Sequence, residues 1–98
     1  MANKIVRKEL WPKLNNVTAK DWEKAGKRIS GIKVDPAGDK GSHCIFRHAS
    51  NPDKTNPNSL ITTIIKKTFK QANYSNFKQI MDAGISEDKI WRVLKFLK

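Results

Sequence analysis

The segment Leu60-Ile61-Thr62-Thr63-Ile64-Ile65 is β-branched at every position after the first, which suits the pleated, half-buried surface of a strand. A lone strand is not stable, and two further segments offer partners. Ile32-Lys33-Val34 alternates apolar and polar, and His43 to His48 opens a second extended run. Between them Asp35-Pro36-Ala37-Gly38-Asp39 is rich in turn formers, so a hairpin is predicted with 60–65 as the third strand. A chain of 98 residues buries one modest core, so sheet and helices must share one centre.

The helices have local signals. Thr18 is placed to cap a helix, Asp21 to reach back in a capping box, and Val17 to staple against Trp22. Trp22, Ala25 and Ile29 then recur at helical spacing, Lys20, Glu23, Lys24, Lys27 and Arg28 form a solvated back, and Gly31 ends the pattern. A short helix is predicted over 76–83, closed by Gly84 with Ile85 folding back on Ile80 or Met81. Ser86 caps a last helix, where Glu87 and Asp88 suit the positive end, Lys95 and Lys98 the negative end, and Ile90, Trp91, Val93, Leu94 and Leu97 form an apolar stripe. The predicted fold is α+β, one domain over 1–98: helix, three-stranded antiparallel sheet, helix, and an additional C-terminal helix. Residues 1–16 are read as an irregular N-terminal extension.

Charge points to partners. Lys and Arg number 20 against 9 acidic residues, a formal net charge of +11 spread along the chain, so the folded surface is itself basic and polyanions are the expected ligands. For single-stranded nucleic acid, affinity should then fall with salt at a log-log slope of about −0.7 per phosphate contacted. No long amphipathic or spanning segment suggests a membrane, and the N-terminus lacks the apolar stretch of a secretion signal, so a cytoplasmic location is expected. Cys44 is the single cysteine, and with two histidines it falls short of any zinc spacing. Neither a cofactor nor a metal is expected, and no nucleotide-binding or zinc-protease motif occurs.

The run Lys40-Gly41-Ser42-His43 places an imidazole after a flexible turn and before an apolar strand. Imidazole exchanges protons near neutral pH, so His43 is the candidate general acid and base. Period-two alternation puts His43, Ile45 and Arg47 on one face and Cys44, Phe46 and His48 on the core face. His43 and Arg47 are then about 13 Å apart at ~3.3 Å per residue, a spacing suited to one extended polyanion. Lys40, Arg47, Lys66 and Lys67 supply phosphate-binding charge, with Gly41 and Ser42 in the same candidate RNA-binding set, and His48 is a secondary candidate. The competing account of His43 is a turn-adjacent histidine bonded to the backbone. Trp22 and Trp91 lie at core spacings, Trp11 fits no pattern, and 49–59 reads as a surface loop.

Lys40-Gly41-Ser42-His43 with Ile45-Phe46-Arg47-His48 resembles the HicA family of small RNA-cleaving toxins, which have a double-stranded-RNA-binding-domain-like fold. Pro12-Lys13-Leu14, Val17-Thr18-Ala19-Lys20, Gly31-Ile32 and Ala83-Gly84-Ile85-Ser86 are similar to further parts of the family pattern, over most of the chain after Pro12. The resemblance implies a metal-independent endoribonuclease, an mRNA interferase of a type II toxin-antitoxin system, with His43 catalytic and a HicB-like antitoxin as partner. The chain departs from the pattern at Thr63-Ile64-Ile65-Lys66-Lys67, where the family carries a proline-histidine segment, and its stretch from Gly31 to Gly41 is slightly long. A noncatalytic RNA-binding relative therefore stays open. So does a helix-turn-helix DNA-binding regulator using 76–97, with Lys89 and Arg92 near base edges, although that last helix is apolar for a groove.

Overall fold

A computed structural model describes residues 7–37 and 40–97. Gly38 and Asp39 of the predicted turn, and Lys98 at the predicted helix end, lie outside the described residues, as do residues 1–6. The chain forms a small α+β domain in which helix α1 (Ala19–Lys27) precedes strands β1 (Ile32–Pro36), β2 (Ser42–His48) and β3 (Leu60–Ile65). Helices α2 (Lys70–Asp82) and α3 (Glu87–Val93) follow. The strands pair antiparallel in the order β1-β2-β3. α1 packs on all three strands, α2 on β3, and α3 on α1 and α2. Among the described residues no helix is long and apolar enough to cross a membrane.

α1 starts where the sequence places it. Thr18 Oγ1 accepts from the Asp21 N–H at 3.2 Å and Asp21 Oδ2 from the Thr18 N–H at 2.9 Å, which satisfies two of the helix's orphan donors. Val17 and Trp22 are both buried in the core. Gly26 faces the sheet: a Cβ there would lie 2.5 Å from Phe46 Cζ and 3.0 Å from Val34 Cγ2, so the missing side chain lets the helix axis approach β1 and β2.

Of the segment 1–16 read as irregular, the described part from Lys8 is helical. Lys8–Asn16 form a 3₁₀ helix that buries Leu10 and Leu14. Trp11 stacks on Tyr74 of α2, with ring centroids 5.0 Å apart. Pro12, which has no N–H to donate, is accommodated inside this helix. Ahead of it, Arg7 makes a two-pronged bond to Asp88, Nε to Oδ1 at 2.6 Å and Nη2 to Oδ2 at 3.0 Å, while its backbone N–H donates to Glu87. The pair holds the Asp88 carboxyl below the usual carboxylate range.

α2 begins at Lys70, six residues before its predicted start at Asn76. The added turn carries Asn73, which is fully buried. Its Oδ1 accepts from Trp22 Nε1 at 2.8 Å, and its Nδ2 donates to the carbonyls of Leu14 (2.6 Å) and Val17 (3.0 Å). One amide thus ties α1, α2 and the 3₁₀ helix together. α2 ends as expected on Gly84, whose φ of +102° permits the bonds from Gly84 N–H to Met81 O and from Ile85 N–H to Ile80 O. Ser86 then caps α3, and Ile90, Trp91 and Leu94 close the core against Phe77.

Candidate active site

The sheet contains two register shifts, and one of them decides where His43 points. Ser42 pairs with Ile65 and Cys44 with Ile64, so β2 carries one extra residue, His43, as a bulge. Bulges re-aim side chains, and this one breaks the strict alternation that would set His43 on one face with Arg47. Cys44 and Phe46 keep their predicted core positions. His43 instead turns toward α1, where its Nε2 lies 2.5 Å from Glu23 Oε1. The other oxygen of the same carboxylate accepts from Lys27 Nζ at 2.9 Å.

Glu23 therefore sits between two cationic or proton-bearing groups. Lys27, and after it His43, hold its carboxyl below the usual range, and Glu23 in turn raises the Lys27 ammonium. An ionised carboxylate only accepts, so the hydrogen between the pair belongs to His43 Nε2. In the neutral ring that leaves Nδ1 as the basic nitrogen. The pair opens on a cavity of about 360 Å³ lined by Glu23, Lys27, Val34, Asp35, Pro36, His43 and Cys44. The His43 side chain is 26% exposed, enough to be reached from solvent. The Cys44 thiol, pushed up to about 11 by burial, stays protonated at neutral pH and is no nucleophile there.

The other predicted site residues divide into two groups. Lys66 N–H donates to Gly41 O at 3.1 Å, which brings Lys40, Gly41, Ser42, Lys66 and Lys67 to the same end of the β2–β3 ladder as His43. Lys40, Lys66 and Lys67 are exposed there. Arg47, assigned to RNA, sits elsewhere: its Nε donates to Asp35 at 3.1 Å and its Nη1 to Ser59 Oγ at 2.9 Å, leaving the side chain 12% exposed. An inward guanidinium paired with a buried carboxylate holds the 49–59 loop to β1 rather than offering charge to a ligand. That geometry corrects the phosphate-binding role given to Arg47. His48, half-buried opposite Ile32, lines a separate depression with Leu60, Gln79 and Asp82. In the predicted helix-turn-helix, Arg92 is exposed and Lys89 half-buried, while the α3 carboxylates that would face a groove are held by Arg7.

Glu23 and Lys27 are the residues that sequence reasoning places in the solvated back of α1. The signal that could single them out is their i, i+4 acid-to-base spacing on a helix flanking the core. Nothing local links Glu23 to a histidine twenty positions away. Among the described residues, no three His, Cys, Asp or Glu side chains gather as a metal site would require. No family model, curated protein or solved structure matches this chain.

Proposed function

We propose that this protein binds RNA and cleaves it without a metal, using His43 as the proton-transfer group, as a toxin of the HicA kind kept in check by a HicB-like antitoxin. The observation that carries the reading is the His43–Glu23 couple, aimed by a β-bulge into an open cavity beside the exposed lysines at the Gly41 turn. A carboxylate that fixes an imidazole's tautomer and supports its protonated form is the arrangement by which hydrolytic enzymes activate hydroxyl nucleophiles.

The chemistry follows from the ring nitrogen that does not face Glu23. His43 Nδ1 removes the proton from a ribose 2′-hydroxyl, the 2′-oxygen attacks the adjacent phosphorus, and the bond from phosphorus to the 5′-oxygen breaks. The imidazolium then returns its proton to that leaving oxygen, and the products are a 2′,3′-cyclic phosphate and a 5′-hydroxyl. Proton transfer of this kind contributes about 10²–10⁴-fold. In this reading Lys27 and Lys40 meet the charge that develops on the phosphate oxygens, and holding the phosphodiester against the imidazole supplies the rest. With no proline-histidine segment after β3, His43 serves as both base and acid.

The deciding measurement is cleavage of a mixed-sequence single-stranded RNA in excess EDTA by the wild-type protein, His43→Ala and Glu23→Gln. Chelation should change nothing, His43→Ala should lower the rate at least about 10²-fold, and Glu23→Gln should lower it less while shifting its pH profile. Equal rates for wild type and His43→Ala would sink the nuclease reading. RNA affinity with no cleavage by any of the three would make the chain the noncatalytic relative.

A further inference from the structure

We propose that the outer edge of β3, with the groove it forms against α2, is a docking site for an extended segment of an acidic partner protein, which joins the sheet as a fourth strand. The sheet order β1-β2-β3 leaves two edges. At the β1 edge, Lys33 and Asp35 are charged and Pro36 cannot donate to a neighbour, the usual means of keeping a strand edge from pairing. β3 is less protected: an extra residue, Ile61, bulges its start, and the ladder is regular from Thr62 to Ile64. From Leu60 to Ile65 it has neither charge nor proline, and Leu60 is 47% exposed.

A groove of about 310 Å³ runs beside this edge, lined by Leu60, Ile65 and Ala72 and by the polar trio Thr62, Asn76 and Gln79. The trio is incomplete. Thr62 Oγ1 faces both Asn76 Oδ1, at 2.9 Å, and Gln79 Oε1, yet a hydroxyl has a single proton to give. Asn76 Nδ2 has no partner, although the residue is 6% exposed. Turning the Asn76 amide over would give Thr62 a donor and orphan Asn76 Oδ1 instead. A buried amide left half-satisfied in this way carries a cost that a ligand can remove.

The occupant's chemistry follows from both features. A main chain carries N–H and C=O groups at every residue, so it meets the open ladder of β3 and either orientation of the Asn76 amide, whereas a phosphate only accepts. Exposed Lys66, Lys67 and Lys70 stand at one end of the strand, on a chain of net charge +11, so an acidic segment is drawn to this edge and a second copy is repelled. Because Ile65 pairs with Ser42, a strand docked along β3 would reach the basic end beside His43. The inference rests on β3 and α2 and not on the His43 chemistry.

The test titrates isotope-labelled protein with a blocked heptapeptide of alternating Val and Glu, read by backbone and side-chain amide NMR. Expected are shifts at Leu60–Ile65 and the Asn76 side-chain amide, and an affinity at least tenfold weaker for Leu60→Glu, which adds like charge at an already exposed position. The same variant should cleave RNA at the wild-type rate. Shifts confined to the His43 cavity, equal affinity for wild type and Leu60→Glu, or no binding at all would overturn the proposal. So would β3 shifts that depend on protein concentration without peptide, which would make the occupant a second copy.

Discussion

Asn73 shows how much one side chain can hold. Its amide meets three groups from two other segments, and each of them is out of reach of water. Asn73→Leu keeps the branched shape but strands Trp22 Nε1, while the Leu14 carbonyl keeps its bond from Val17 N–H at 3.3 Å and the Val17 carbonyl its bond from Thr68 Oγ1 at 2.7 Å. One orphaned donor in a dry core should lower stability by about 2 kcal/mol, measured as a fall in urea midpoint at unchanged slope. Sequence reading does not find this residue, because a polar side chain at a core position looks like a break in the apolar stripe. Glu23 is hidden for a related reason. On a helical wheel it belongs to the charged back of α1, and its partner enters only when the sheet folds beneath.

At the level of elements, what could be read was local. The capping box of α1, the Gly84 stop of α2 and the Ser86 cap of α3 each involve residues within one turn of each other, and all three form as expected. The start of α2 was not legible, because Phe69 offers no side-chain cap and Lys70-Gln71-Ala72-Asn73 has no apolar rhythm. The bulge was not legible either, since period two carries no mark of an extra residue. Two helix ends give a matched pair of stability tests. Gly84 has a φ of +102° with open space around an added Cβ, so Gly84→Ala should cost about 1 kcal/mol through the backbone alone. Lys95 takes the corresponding position after α3 with a φ of 69°, so Lys95→Gly should raise stability by about 1 kcal/mol. Thermal midpoints moving the same way in both would contradict the assignment.

Across the whole molecule, the few carboxylates work as counterweights in a basic protein. Glu23 is held below its usual range by Lys27 and His43, Asp53 by its bonds from Thr55, and Asp88 by Arg7. A carboxyl depressed in the folded state adds stability that is complete above its unfolded value, near pH 4, and lost as pH falls through the folded one. The urea midpoint should therefore hold steady from pH 7 to about pH 5 and drop below about pH 4, where the unopposed positive charge also grows. A midpoint rising on acidification would show that these contacts do not form. Gly26 connects this balance to the site. The space left by its absent side chain sets how far α1 stands from Phe46, and Glu23 rides on that helix while His43 rides on the strand below. Core packing is thus the ruler for the proton-sharing pair: one methyl group inserted at Gly26 would be felt first as a lengthened imidazole-carboxylate contact.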